Sequence, residues 1–441
     1  MYYKSTIFPS AILKTIQLFS PVKRAFYMLL FSFVFISPAL PGKPGATDLK
    51  CISASGTNSS VAGSQKQWVG TWSTAPQLVE QRNMPPAPGL SNNTLRQIVC
   101  VSSGGKSMRL RFSNEFSKSP VTMKSVQIAV SKGGSVIDAS TVKQLKFNKK
   151  TEVTMNPGEA INSDPVSFSL EPRMDVAITI YFGETSPDVT GHPGSRTTSY
   201  LLEGDHMSSV DFAGAVTTDH WYVINGIDVK ASESAASVVI LGNSITDGRG
   251  SGTNKQNRWP DILAERLLKN PGTQHIGVIN MGIGGNCVLK QCLGPAAVDR
   301  FDRDVLQQRG VRWLIILEGV NDLGGTRDSA DAARVADDLI TAYGKMIDRA
   351  HAKGIKVYGA TIMPIGKSFY YRDYREPARN KINEWIRTSG KFDAVIDFDK
   401  VMRDPADTMS LLPSAQSGDF LHPNEAGYKM MGDAVDLKLF E

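Results

Sequence analysis

Ser244 stands in Gly242-Asn243-Ser244-Ile245-Thr246-Asp247-Gly248, directly after the apolar run Ser237-Val238-Val239-Ile240-Leu241. A serine at the tip of a strand, between glycines that permit a tight turn, is placed to act as an exposed nucleophile, although the same pattern also describes an ordinary turn serine. A nucleophilic hydroxyl needs a base. His422, in Asp419-Phe420-Leu421-His422-Pro423-Asn424-Glu425, offers one. A carboxylate three residues away on a rigid loop can hold one ring nitrogen and leave the other free to take a proton. The alternative is a loop before the final helix with an incidental histidine. The remaining histidines compete poorly: His275 is expected to begin a strand, His351 falls in the last turn of a helix, and His192, His206 and His220 lie in or just after a β-rich half.

Two further blocks could stabilise a developing oxyanion. The glycines of Asn280-Met281-Gly282-Ile283-Gly284-Gly285-Asn286 can bring backbone N–H groups close to a bound oxygen. A dinucleotide-binding loop is the competing reading, but the G-x-G-x-x-G spacing is absent. In Glu318-Gly319-Val320-Asn321-Asp322, the Asn321 amide can donate without adding a titrating group; an Asx turn or cap is the structural alternative. No cofactor or metal is called for, since there is no H-E-x-x-H and the cysteines form no zinc pattern.

These blocks need a frame that presents strand ends to a common face. From about residue 67 to 228 the chain alternates with period two: Met108, Leu110 and Phe112 alternate with Arg109 and Arg111, and Val126, Ile128, Val130, Val166, Phe168, Leu170, Val176, Ile178, Ile180 and Phe182 continue the pattern. Half-buried antiparallel strands, and hence a β-sandwich, are expected. From about residue 235 apolar strands alternate with helical stretches. The strands are predicted at 237–242, 275–280, 313–318, 356–362 and 394–398. Val335, Leu339, Tyr343, Met346 and Ala350 form one helix face, with Gly354 at the C-cap. Repeated strand-helix-strand units mean a parallel sheet covered on both faces, with ligands bound beyond the carboxyl ends of the strands.

The 441-residue length favours two domains. Residues 1–45 read as a signal peptide and linker: Lys23-Arg24 precedes twelve mostly apolar residues and then Ser37-Pro38-Ala39. Twelve residues fall short of the roughly 20 of a membrane span, so no stable span is expected after cleavage. Cleavage near Ala39 removes Lys4, Lys14, Lys23 and Arg24, lowering the formal charge from +6 to +2. The basic balance therefore belongs to the targeting segment and does not argue for nucleic-acid binding. Export, periplasmic or extracellular, permits disulfides. Cys287 and Cys292 are close enough for a local loop, and Cys51 with Cys100 is the remaining pairing; two reduced pairs are the alternative.

Taken in order, GNSITDG, NMGIGGN, EGVND and DFLHP resemble the four motif blocks of the SGNH (GDSL-like) hydrolase superfamily, across the C-terminal 200 or so residues. The preceding segment, opening with Trp68-Val69-Gly70-Thr71-Trp72, looks like the accessory domain of one secreted two-domain branch. The resemblance implies a flavodoxin-like three-layer α/β hydrolase domain at 233–441, preceded by an all-β domain at 50–232. It implies a serine esterase without cofactor or metal, in which Ser244 is nucleophile, His422 base and Asp419 its partner. The implied oxyanion donors are the N–H groups of Ser244 and Gly285 with the Asn321 side chain. Asn243 departs from the commonest pattern, which has Asp before the serine. Asn keeps hydrogen bonds but no charge, so the local protonation balance differs.

The substrate is less legible. The leading expectation is a carbohydrate O-deacetylase acting on a small-molecule or polysaccharide ester, with some of the six tryptophans stacking on sugars and Tyr370, Tyr371 and Tyr374, in the loop 364–374, shaping the pocket. The runner-up is a lipid or lysophospholipid acylhydrolase, which needs a long apolar acyl channel. A third reading is a catalytically inactive glycan-binding protein.

Overall fold

The structure is a computed structural model that describes residues 67–441. The expected signal segment and Cys51 lie outside the described residues.

The alternating half forms two larger antiparallel sheets. One has the order Gln67–Ser73, Ile224–Ala231, Gly105–Ser113, Val166–Leu170. The other runs Val216–Thr218, Ser199–Glu203, Asn93–Cys100, Asp175–Phe182, Val121–Gly133, Val136–Ile137. Met108, Leu110 and Phe112 of the first share one hydrophobic cluster with Val126, Ile128, Val176, Ile178 and Ile180 of the second. Each such buried side chain contributes ~1.5–3 kcal/mol, which is what the period-two pattern encodes. The expectation of half-buried strands fails for Asn93–Cys100 and for most of Asp175–Phe182, whose residues are buried on both faces. Segments around Ser135 and Ser209 cover the outer face there. The fully buried Arg96 donates to Thr179 Oγ1 and to the carbonyls of Ser135, Ser209 and Val210, and Phe212 packs beneath its guanidinium at 3.8 Å.

The second half is built on five parallel strands: β1 (Ala236–Gly242), β2 (Ile276–Gly282), β3 (Val311–Leu317), β4 (Lys356–Ala360) and β5 (Ala394–Ile396), in the order β2-β1-β3-β4-β5. From β1 the chain steps first to one side, through helix α1 (Trp259–Lys269), and later to the other, through α2 (Ser329–His351) and α3 (Glu376–Thr388). Right-handed crossovers in opposite directions put helices on opposite faces. Accordingly α1 packs on β2 and on the final helix α4 (Glu425–Ala434), while α2 and α3 pack on each other and on β4. The α2 face predicted from Val335, Leu339, Tyr343, Met346 and Ala350 is the buried one. Gly354 lies beyond the helix end, where a further turn closes at φ +71°. β4 and β5 each end two residues early. Ile362 N–H is taken by Asn383 Oδ1, and Asp397 caps the next helix. No helix among the described residues is long and apolar enough to cross a membrane.

The two halves interlock. Gly70 N–H donates to Arg309 O, Ser237 Oγ donates to Gly70 O, and Val278 N–H donates to Ser102 Oγ, so strand Gln67–Ser73 lies against β2.

Candidate active site

The neighbouring strands β2, β1 and β3 each lead into one of the sequence blocks. After β1, Asn243 caps a single helical turn (Ser244–Asp247) by accepting from Ile245 N–H, and Gly248 closes it at φ +102°. This turn holds Ser244 at the mouth of the sheet, with Oγ 2.8 Å from His422 Nε2. His422 Nδ1 lies 2.7 Å from Asp419 Oδ2. The other Asp419 oxygen accepts from the N–H groups of Leu421 and His422, in a tight bend that puts Phe420 at φ +54°. The hydroxyl, imidazole and carboxylate are thus joined in sequence, and backbone N–H groups hold the carboxylate in place.

Burial pushes His422 below the usual histidine range. Asp419 opposes that shift, while the guanidinium charges of Arg249 and Arg196 add to it. Burial alone would raise Asp419, but hydrogen bonds from His422 and Leu421 hold it below the usual carboxylate range. The imidazole is therefore neutral near pH 7 and available to accept a proton.

Ser244, Gly285 and Asn321 line one cleft with His422. Among the described residues no protein acceptor is found for the N–H of Ser244 or of Gly285, whose φ of +71° suits glycine. Asn321 follows β3 in the short helix Val320–Gly324. Tyr370 Oη donates to its Oδ1 at 2.8 Å and its Nδ2 donates to Asn286 O at 2.7 Å, which orients the amide and leaves one N–H over. The adjacent Asp322 accepts from Val288 and Leu289 N–H, tying the Cys287–Cys292 disulfide loop to the same segment. Cys100 has no disulfide partner among the described residues; its expected partner, Cys51, lies outside them.

The amide at position 243 has a structural reason. Asn243 Nδ2 donates to Glu318 Oε2 at 3.3 Å and to Leu317 O at 3.4 Å. Glu318 is fully buried and burial pushes it up to about 8, with Arg300 pulling the other way. An aspartate at 243 would set a second carboxylate against this one; an amide donates to it instead.

Sequence reasoning missed a whole wall. Ser244, Gly285, Asn321 and His422 line a cleft of about 370 Å³ whose opposite side comes from the β-rich half: Gln77, Glu80, Arg82, Asn83, Pro193, Arg196 and His220. That half also reaches behind the serine turn. His192 is buried with Nε2 2.9 Å from Asp247 Oδ1 and Nδ1 3.0 Å from Ala75 O. A Cβ on Gly194 would lie 1.9 Å from Asp247 Oδ2, so only glycine fits there. Asp247 sits inside the GNSITDG block, but nothing in the spacing links it to a histidine 55 residues earlier.

Of the three tyrosines expected at the pocket, only Tyr370 lines it, beside Phe369. Tyr371 turns outward onto Asp373, and Tyr374 Oη donates to Thr326 O. The bend at 368–375 brings one aromatic pair to the cleft and turns the other rings away. The tryptophans do not line the cleft either; Trp72, Trp221, Trp259 and Trp313 are buried in packing.

The family model for GDSL-like lipase/acylhydrolase matches residues 240–430. Among solved structures, the chain is similar to a putative lipolytic protein of the G-D-S-L family from Desulfitobacterium hafniense DCB-2, at 23% identity and TM-score 0.34 over 45% of this chain and 97% of that one. It is similar also to the acetyl xylan esterase AlAXEase (22%, TM-score 0.35, 45% and 96%) and to a catalytic mutant of Axe2, an acetylxylan esterase from Geobacillus stearothermophilus (18%, TM-score 0.34, 45% and 93%). No match is found among curated proteins. Residues 240–430 thus match a GDSL-like lipase/acylhydrolase domain, a class of ester hydrolases.

Proposed function

We propose that this chain is a secreted serine esterase that removes short acyl groups, acetyl foremost, from carbohydrate through an acyl-enzyme. The observation that carries the reading is the line from Ser244 Oγ to His422 Nε2 (2.8 Å) and from His422 Nδ1 to Asp419 (2.7 Å), beside uncommitted N–H donors. In this reading Ser244 Oγ attacks the ester carbonyl carbon as His422 Nε2 takes its proton. The oxyanion accepts from Ser244 N–H, Gly285 N–H and Asn321 Nδ2. The bond to the alcohol oxygen breaks, and His422 returns the proton to that oxygen. Water then gives a proton to His422 and adds to the acyl carbon, and Ser244 Oγ leaves with the proton.

The cleft favours sugar over lipid. Most of the residues that line it are polar or charged, and its larger apolar side chains, Leu293, Phe369, Tyr370 and Leu421, are few, which suits a sugar ester better than a long acyl chain. Phe369 is 60% exposed at the rim and packs on Tyr370 at 4.5 Å between ring centroids, a platform on which a sugar face can stack. We read the β-rich half as a sandwich-type accessory domain from about residue 50 to 232 that completes this cleft. Secretion is supported by the apolar segment after Lys23-Arg24 and by the Cys287–Cys292 disulfide.

The test is hydrolysis of p-nitrophenyl acetate, butyrate and decanoate by the native chain and by Ser244→Ala. The reading expects the highest kcat/KM on acetate and its loss in the variant. Preference for decanoate moves the substrate to lipids, and turnover that survives Ser244→Ala overturns the mechanism.

A further inference from the structure

Most of the described arginines are engaged by carboxylates, and others, such as Arg96 and Arg375, by neutral acceptors. Arg109, Arg258, Arg300, Arg379 and Arg387 each hold a carboxylate. Arg82, Arg196 and Arg249 make no side-chain hydrogen bond or ion pair among the described residues, and all three line the cleft that contains Ser244. Arg196 is the most telling of them. Its Nε is buried without a partner, and its backbone is held at φ +52°, with its carbonyl accepting from Asn254 N–H at 2.9 Å. An unpartnered buried guanidinium nitrogen calls for an acceptor from outside the chain.

The acidic groups of the same walls are already engaged. Glu80 accepts from Gln77 Nε2 at 2.8 Å and Asn83 Nδ2 at 2.9 Å, and Asp247 is held by His192. Arg196 and Arg249 line the same cleft as Ser244 and His422, and their charges disfavour the imidazolium.

We propose that Arg196 and Arg249, with Arg82 at the rim, form an anion-recognition site for a carboxylate on the sugar, so that the preferred substrate is an acyl ester of an acidic, uronate-type carbohydrate. This rests on the esterase reading above and narrows its substrate. A guanidinium fork matches a carboxylate in geometry and charge, and a cleft lined by Arg82, Arg196 and Arg249 against Glu80 and Asp247 keeps a net positive balance that draws such a substrate in. Two of these arginines come from the β-rich half, so that half selects the substrate on which the α/β half acts.

The experiment compares kcat/KM on an O-acetylated oligogalacturonide with that on an O-acetylated xylo-oligosaccharide of equal length, at pH 8 so that His422 is neutral. The native chain is expected to favour the acidic substrate at least tenfold at low salt, with the ratio falling as sodium chloride is added. The double variant Arg196→Gln, Arg249→Gln is expected to lose most of that ratio through a rise in KM on the acidic substrate. Arg309→Gln, an exposed arginine outside the cleft, retains it. A native ratio near one, or a double variant that loses both substrates equally, overturns the anion site. Arginine-dependent turnover of lysophosphatidylglycerol above either sugar assigns the anion to a lipid headgroup and overturns the carbohydrate assignment. Ser244-dependent hydrolysis of p-nitrophenyl acetate in the same preparation keeps the esterase reading standing whichever way the ratio falls.

Discussion

The two halves of this protein serve one cleft by different means. The α/β half places side chains at the ends of neighbouring parallel strands, so that Ser244, Gly285 and Asn321 come from three short stretches that each follow a strand. The β-rich half presents loops between antiparallel strands, and its contributions near residues 77–83, 193–196 and 220 lie far apart in sequence. On the proposed function one half positions the reacting atoms, while the other closes the cleft, adds charged side chains to it and braces the serine turn through His192. The same division suggests that chemistry and selectivity can be damaged separately.

Substitutions in the α/β half should have the larger effects on rate. Ser244→Ala should lower kcat by about 10⁴ to 10⁶ with the fold intact by circular dichroism. Asp419→Asn should cost up to about 10⁴ in kcat by favouring the wrong imidazole tautomer, measured at saturating p-nitrophenyl acetate. Asn321→Ala should cost about 10² to 10³ in kcat with little change in KM, because the amide is needed chiefly for the developing oxyanion.

Substitutions in the β-rich half should register first in stability and selectivity. His192→Ala leaves Asp247 buried without its partner, and about 3–5 kcal/mol should be lost in urea unfolding. Gly194→Ala drives a methyl group into the same carboxylate and should act in the same direction. If both variants unfolded like the native chain, the bracing role assigned to this half would be wrong.

Much of the catalytic half was legible because its signals are local. A run of apolar residues followed by glycine and a polar side chain marks a strand end in consecutive residues, and Asp419 and His422 meet within four residues. The β-rich wall was not legible. Alternation at Met108, Leu110 and Phe112 shows which face is buried, but not that Arg196 or His192 will stand beside the serine. That depends on strand Gln67–Ser73 lying against β2, a contact between residues some 200 apart. Tyr371 and Tyr374 misled for a related reason: a cluster of aromatic residues shows that a loop packs, not which rings turn inward.

The smallest expected effect concerns pH. His422 must be neutral to act as base, and its acidity is shifted below the ordinary value, so kcat/KM should rise with pH through a midpoint below the ordinary histidine value of about 6.5. Removing Arg196 and Arg249 withdraws positive charge that disfavours the imidazolium, and the midpoint should move upward. An unmoved midpoint would separate those arginines from the base.

The central claim is that Ser244, activated by His422, forms the covalent acyl-enzyme. Treatment with a fluorophosphonate, followed by intact-mass and peptide mass spectrometry, examines it without reference to any natural substrate. One adduct per chain, on the peptide containing Ser244 and strongly diminished in His422→Ala, is the predicted result; an adduct on another residue, or no adduct on a folded chain, would contradict it.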